Sequence, residues 1–312
     1  MTTPLPFVRD LDIEYGVAAT VSPLIRRVVA KNPSAFTFKG TGTYIVGQGR
    51  VAVIDPGPLL GAHVAALTAA LAGETVTHIL ITHTHIDHSP AAAPFKAAVG
   101  AKTFGYGPHG SGRGFVTAFP ENFTGPRGEE GADKEFVPDV TLREGDTVAG
   151  PGWHLTALET PGHTSNHLSF ALAEENAVFT GDHIMGWSTT AIGPPDGDMA
   201  AYKRSLARFL PEKSAAERFW PTHGPPVRET AKLVRAYLTH RDEREALILR
   251  AMERGATNPF EIAKRVYIGL DPKLRPAAAR SVLAHLIELL DRRIVTQIDG
   301  PHGLVGKYRI RY

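Results

Sequence analysis

The hexapeptide HTHIDH, residues 83–88, constrains this chain more than any other feature, because it places four metal-binding side chains within six residues. It follows directly after the apolar run THILIT, which is typical of a short buried strand. Alternation along an extended chain puts His83 and His85 on the same side, and Asp87 and His88 then offer ligands from a neighbouring direction. Buried imidazoles and carboxylates cost free energy unless they are paired. The hexapeptide therefore predicts a metal site at the end of a strand.

Three further candidate ligands occupy equivalent places, where a predicted strand ends in a tight turn. His163 follows WHLTALE, Asp182 follows NAVF, and His223 follows RFW. A single histidine beside glycine and proline is usually an ordinary polar loop residue, but four such motifs in this order form a strong signal. The chain has no cysteine, so any zinc would be held by histidine and carboxylate side chains.

The order of predicted elements indicates an α/β protein with two domains. Strands alternate with helices up to about residue 226, which is typical of an α/β body of two or more layers. A long charged helix, two shorter helices and a pair of strands then follow, which is the order of a winged helix. We therefore predict a catalytic domain over residues 1–226 and a winged-helix domain over 227–312. Residues 107–135 are predicted to form a long surface loop.

Charge is distributed unevenly between these two parts. Residues 227–312 contain 17 basic and 10 acidic side chains, whereas residues 1–226 contain 17 and 22, within a net charge of +2. A basic tail domain suggests an anionic partner such as nucleic acid, although solvated helix faces would give the same pattern. No apolar run approaches the ~20 residues of a membrane span, and no signal peptide is visible. We expect a cytoplasmic protein that does not insert into membranes.

The motifs HTHIDH, TPGHTSNHLSF, FTGDH and PTHG together resemble the metallo-β-lactamase superfamily. With the added winged helix, the chain is most similar to its β-lactamase-like protein 2 branch, which is of the endoribonuclease type. The resemblance implies an αββα sandwich with two metal ions, expected to be zinc, at one edge of the two sheets. Manganese or iron would accept the same ligands. The resemblance also implies which residues bind each ion. The first ion would be bound by His83, His85 and His163, the second by Asp87, His88 and His223, and both by Asp182 as a bridging ligand.

A second set of residues has weaker signals. Asp87 is the best candidate to orient a hydroxide that bridges two metal ions, or to take its proton, because one of its oxygens stays free. Asp55 either orients a ligand histidine or only forms a turn before Pro56. His109 is expected on the surface of the long loop. The remaining expectations are that His167 and His183 point away from the metals, and that Ser188 and Thr189 could line the pocket.

Several kinds of hydrolase remain compatible with the sequence. The absence of cysteine excludes lactamases that use a cysteine ligand. Two metal ions, two carboxylates and one hydroxide leave a net charge of about +1, which favours an anionic substrate or transition state. The resemblance implies cleavage of single-stranded RNA phosphodiesters, with the basic winged helix holding the backbone. The alternatives are a thioester hydrolase like glyoxalase II, and a nucleic-acid-binding regulator with a vestigial metal site. The oligomeric state is left open.

Overall fold

The computed structural model describes residues 5–112, 131–300 and 303–311. The strands are β1 Ala19–Ser22, β2 Ile25–Val29, β3 Gly42–Val46, β4 Arg50–Ile54, β5 Thr75–Leu80, β6 Lys102–Gly105, β7 Val140–Thr141, β8 Thr147–Gly150, β9 Trp153–Glu159, β10 Leu168–Leu172, β11 Ala177–Gly181, β12 Arg218–Pro221, β13 Val295–Asp299 and β14 Lys307–Ile310. The helices are α1 Gly61–Ala70, α2 Ala92–Val99, α3 Met199–Ala207, α4 Thr230–Glu253, α5 Pro259–Val266 and α6 Arg275–Asp291. Among these residues no helix is both long and apolar enough to cross a membrane.

Two mixed sheets form the centre of the catalytic body. The first has seven strands in the order β1-β2-β3-β4-β5-β6-β7, and the second has five in the order β12-β11-β10-β9-β8. Strands β3 and β4 form an antiparallel hairpin, whereas β4, β5, β6 and β7 run parallel through helical crossovers or loops. Large apolar side chains fill the space between the sheets, including Tyr44, Trp153, Phe170 and Phe179.

Helices cover the outer face of each sheet. Leu67 of α1 and Phe95 of α2 pack on the first sheet in a second apolar cluster. Tyr202 and Leu206 of α3 pack on the second sheet beside Phe219 of β12. The four layers therefore lie in the order helix, sheet, sheet, helix, and the predicted αββα sandwich is confirmed.

The C-terminal residues form a separate small core. Ile248 of α4, Ile262 of α5 and Leu283 of α6 pack together with Val295 and Tyr308 of the β13–β14 hairpin. Asn258 caps α5 by accepting a hydrogen bond from the backbone of Glu261, as expected for an N-cap residue. Three helices followed by a two-stranded hairpin confirm the predicted winged helix.

The helix α4 belongs to both cores. Its first half contributes Leu233, Val234 and Tyr237 to the apolar cluster on the second sheet. The hydroxyl of Tyr237 donates to the carbonyl oxygen of Met185 at 2.6 Å and also contacts that of Ser188. The predicted domain boundary at residue 226 therefore lies shortly before a helix that completes the catalytic body.

The strands that precede the metal motifs lie where the sequence predicts them, as β5, β9, β11 and β12. Asp198 caps α3 by accepting from the backbone of Ala201 at 2.8 Å. Strands β1, β2, β6, β7 and β8 have no such signal in the sequence. Arg26 and Arg27 interrupt the apolar pattern of β2, although Arg27 is buried and donates to the carbonyl of Gly224 at 3.1 Å. Of the predicted loop 107–135, residues 113–130 lie outside the described residues.

We expect Tyr237→Phe to lower the free energy of unfolding by about 1–3 kcal/mol, because it leaves buried carbonyl groups without their donor. Urea unfolding followed by circular dichroism measures this, with Tyr15→Phe at a partly exposed position as the control.

A chain that ends at Pro226 lacks α4, so it should expose the apolar cluster on the second sheet and aggregate. A monomeric, cooperatively folding 1–226 fragment would contradict the shared role of α4.

Candidate metal centre

The sequence motifs meet because four strands end at one edge of the sandwich. His83 follows β5, His163 follows β9, and Asp182 and His223 follow the parallel neighbours β11 and β12. Backbone hydrogen bonds join the two sheets here, from Leu168 to the carbonyl of Thr82 at 2.7 Å and from Gly42 to that of Thr222 at 2.8 Å. Long-range pairing thus brings His163, Asp182 and His223 to the four ligands that are already close together in residues 83–88.

Three histidines form the first group of converging nitrogens. The Nε2 atoms of His83 and His163 each lie 3.0 Å from the Nδ1 atom of His85. Burial, together with the neighbouring imidazoles, holds the pKa of His83 and of His85 well below the ordinary value, and burial also lowers the pKa of His163. The three rings are therefore neutral at physiological pH, and neutral imidazole is the form that binds metal ions.

Asp87, His88 and His223 form the second group. The Oδ2 atom of Asp87 lies 3.0 Å from Nε2 of His223 and 3.7 Å from Nε2 of His88. Burial would raise the pKa of Asp87, but the two histidines hold it well below its usual range. Burial would likewise lower the pKa of His223, but Asp182 and Asp87 raise it to about 10. Without metal, this group carries protons that a bound cation would displace.

Asp182 lies between the two groups. Its Oδ2 atom is 3.8 Å from Nε2 of His163, and its Oδ1 atom is 3.6 Å from Nε2 of His88 and 3.4 Å from Nε2 of His223. Burial opposes ionisation, yet His223 and His88 keep the pKa of Asp182 well below its ordinary value. One carboxylate oxygen thus faces each group, which is the arrangement of a bridging ligand.

The local geometry fits metal ions better than it fits hydrogen bonding alone. His88 Nε2, His223 Nε2 and Asp182 Oδ1 are buried and have no well-aligned hydrogen-bond partner among the described residues. Buried polar atoms of this kind are rare unless an ion or water satisfies them. Ligand atoms around tetrahedral zinc lie roughly 3.3 Å apart, close to the separations found here. Within the part of the chain that the structure describes, the groups His83–His85–His163, His83–His88–Asp182 and Asp87–His88–His223 each have ligand atoms within 4.8 Å of one another.

The far sides of the histidine rings are fixed by hydrogen bonds. Asp55 Oδ2 lies 2.9 Å from Nδ1 of His88, which confirms that this carboxylate orients a histidine of the site. The Nδ1 atoms of His163 and His223 donate to the carbonyls of Ala191 and Gly40, at 2.7 and 3.2 Å. Such contacts hold each ring with Nε2 directed into the site and select its tautomer.

Two neighbouring histidines behave as predicted. His167 stacks behind His83 with ring centroids 5.0 Å apart, and Thr160 lies 2.8 Å from its Nδ1 atom. His183 is buried against Tyr202, away from the converging nitrogens. Neither belongs to the groups of candidate ligands.

A small pocket beside the first group corrects the expectation for His109. His109 is not a surface residue, because its side chain is only 7% exposed and its Nδ1 atom lies 3.0 Å from the hydroxyl of Thr84. After Asp182 the pocket is lined by Ala191–Gly193, and Ser188 and Thr189 are not among the described residues that line it. Sequence reasoning also missed further lining residues, for which neither spacing nor neighbouring motifs gave a signal: Asp196, Ala277 and Arg280.

Comparisons with known proteins agree with this fold and site. Residues 37–223 match the metallo-beta-lactamase superfamily, and residues 259–303 match the beta-lactamase associated winged helix domain. The beta-lactamase-like protein 2 homolog of Drosophila melanogaster is 31% identical over 280 residues, which cover 84% of this chain and 86% of that protein. This chain therefore belongs to the metallo-β-lactamase superfamily, with the added winged helix, and is a metal-dependent hydrolase.

Two other similarities extend the comparison. The atrochrysone carboxyl ACP thioesterase of Claviceps purpurea is 29% identical over 240 residues, covering 75% of this chain and 67% of that protein. A solved beta-lactamase domain protein from Burkholderia ambifaria shares the fold with a TM-score of 0.79 at 20% identity, covering 98% of this chain and 97% of the other. The first of these relatives is named for an acyl thioester substrate.

We expect about two metal ions per chain when the protein is purified without chelator, because two groups of three ligands share one bridge. Asp87→Ala should retain about one ion, since the first group is intact, whereas Asp182→Ala should weaken both sites. Elemental analysis measures the metal content, and the exposed Asp242→Ala serves as the control. Equal metal loss in the Asp87 and Asp182 variants would contradict this division of the ligands.

Asp55→Asn should lower the affinity of the second metal about 10–100-fold, because it disturbs the hydrogen bond that orients His88. Competition with a chromogenic chelator measures the two affinities separately. Glu229→Gln, a solvent-exposed change, should leave both unchanged. If Asp55→Asn weakened the first site more than the second, the orienting role assigned to Asp55 would be wrong.

Proposed function

We propose that the seven converging residues hold two divalent metal ions, with zinc the first candidate and manganese or iron as alternatives. One observation carries this proposal, which is that the two oxygens of Asp182 face different groups of histidine nitrogens. The ligands divide as the family resemblance implied: His83, His85 and His163 for one ion, Asp87, His88 and His223 for the other, and Asp182 for both. A vestigial site would have no reason to keep this complete set.

The metal ions, when bound, would lower the pKa of a water molecule and polarise the scissile group. The side chain of Asp87 is 21% exposed, and its Oδ2 atom faces His223, so its other oxygen is available to water at the site. We assign to Asp87 the orientation of the attacking water or the acceptance of its proton.

We propose an acyl thioester as the substrate. The pocket beside the first group has a cavity volume of only about 50 Å³, and Ala191, Ile192 and Ala277 contribute apolar lining. Ligand sites that enclose a whole small molecule measure roughly 300–1,000 Å³, so this pocket suits one small substituent next to the scissile bond. The similarity to a protein named as an acyl carrier thioesterase, over 75% of the chain, supports the same substrate class.

Single-stranded RNA is the second candidate, and the basic surplus of residues 227–312 favours it. Some of these basic side chains have partners within the domain. Arg292 pairs with Glu245 at 2.8 Å, Lys307 pairs with Asp299 at 3.0 Å, and Arg265 donates to the carbonyl of Ala251 at 3.2 Å. These contacts leave the net charge unchanged, but an RNA backbone would compete with them for the same side chains.

A direct comparison of substrates tests the proposal. The zinc-loaded protein should hydrolyse the butyryl thioester of N-acetylcysteamine, and removal of metal by a chelator should abolish the reaction until zinc or manganese is restored. Asp182→Ala should be inactive, because both metal sites are weakened, whereas Asp242→Ala should be fully active. Thiol release measured with a chromogenic disulfide reports the rate.

A fluorescently labelled single-stranded RNA, incubated with the same preparations, tests the second candidate. Metal-dependent RNA cleavage without thioester hydrolysis would overturn the thioester assignment. In that case the affinity for RNA should fall steeply with salt, because each neutralised phosphate releases counterions.

A further inference from the structure

The pocket beside the first group of histidines has a wall that comes from the winged helix. Ala277 and Arg280 of α6 line it, opposite residues that follow the metal motifs of the catalytic body. His85 and His163 line the same pocket, so a group that occupies it lies next to the candidate metal ligands. The C-terminal domain therefore takes part in forming the active site.

The position of Arg280 is set by packing on both sides. A Cβ atom placed on Gly193 would lie 3.8 Å from Cδ of Arg280 and 4.0 Å from its Cβ, so the arginine stem passes directly over this glycine. Helix α6 is itself fixed to the catalytic body. Its Ala284 belongs to the apolar cluster with Tyr202, and its Glu288 pairs with Lys203 of α3 at 3.0 Å. Arg280 is thus presented to the pocket from a rigid helix.

Two of the described lining residues are charged. Among them Arg280 has the one permanent positive charge, and Asp196 has the one carboxylate. That carboxylate accepts hydrogen bonds from the hydroxyl and the backbone N–H of Ser165, at 2.6 and 3.1 Å. An arginine guanidinium recognises a carboxylate or phosphate group through two parallel hydrogen bonds. The described lining therefore combines one arginine and one carboxylate with apolar side chains in a small space.

We propose that Arg280 binds an anionic group of the substrate, and that the winged helix sets substrate specificity by supplying this arginine to the active site. The inference rests on the proposed thioester hydrolysis and extends it, since it assigns a charge to the substrate. The anion is either a carboxylate on the acyl chain or a phosphate on the thiol carrier. Both chemistries suit the same guanidinium, and the experiment distinguishes them.

Four thioesters separate the two sources of charge. Butyryl and succinyl groups are each joined to N-acetylcysteamine, which has no phosphate, and to coenzyme A, which has phosphates. If the anion is on the acyl chain, Arg280→Met should lower kcat/KM for the succinyl thioesters about 10–100-fold and leave the butyryl ones within about twofold. If the anion is on the carrier, the same decrease in kcat/KM is expected for both coenzyme A thioesters, and the two N-acetylcysteamine thioesters should be unaffected.

Two variants on the same helix provide the controls. Arg275→Met removes an exposed charge from the first turn of α6 and should change no substrate preference. Arg280→Lys retains the charge without the bidentate geometry, so it should recover only part of the lost preference. The metal content and the unfolding midpoint of each variant should equal those of the unaltered protein. An equal effect of Arg280→Met on all four thioesters would overturn the proposal.

Binding measurements keep the test independent of turnover. Succinate and inorganic phosphate are titrated calorimetrically into the metal-loaded protein. Arg280→Met should lower the affinity for the anion that binds in this pocket about 10-fold or more. If no thioester is hydrolysed but Arg280→Met still weakens anion binding, the thioester function fails and the role of Arg280 stands. If thioesters are hydrolysed and neither anion depends on Arg280, the function stands and the role of Arg280 fails.

Discussion

The buried carboxylate of Asp55 is the interaction on which the metal centre depends. It accepts hydrogen bonds from the backbone and hydroxyl of Thr82, at 2.8 and 2.7 Å, and from the hydroxyl of Thr222, at 3.1 Å, and it lies 2.9 Å from His88. A buried charge is tolerated only with such a set of donors. Because Thr82 follows a strand of the first sheet and Thr222 follows a strand of the second, this one side chain connects the edges of both sheets and also orients an imidazole.

The candidate ligands could be predicted from the sequence because each follows a strand in a recognisable motif. His83 and His163 needed only local patterns and a family resemblance to be singled out. The second strand could not be predicted, since Arg26 and Arg27 look like surface residues when their partners are unknown. Arg27 is buried because it reaches the carbonyl of Gly224, 197 residues away. Contacts at that distance depend on the folded topology and leave no periodic signal.

The residues that line the pocket could not be predicted from the sequence for the same reason. His109 has the sequence context of an ordinary loop residue, whereas its contact with Thr84 and its place in the pocket put it beside the metal centre. Arg280 lies in a domain that contains none of the metal motifs. In the sequence it is one of the 17 basic side chains of residues 227–312, and nothing distinguishes it from the others. The charge surplus suggested a nucleic-acid partner or solvated helix faces, whereas the structure places one of these basic residues beside the candidate metal ligands.

The metal ligands and one wall of the pocket come from different parts of the chain. The metal ligands follow strands of the two sheets, while this wall comes from α6, which contains none of the metal motifs. Substitutions on α6 can therefore alter what enters the pocket while the reaction chemistry is retained. Proteins with identical metal motifs could therefore differ in substrate through substitutions in the C-terminal domain, and a comparison of the metal motifs alone would not reveal the difference.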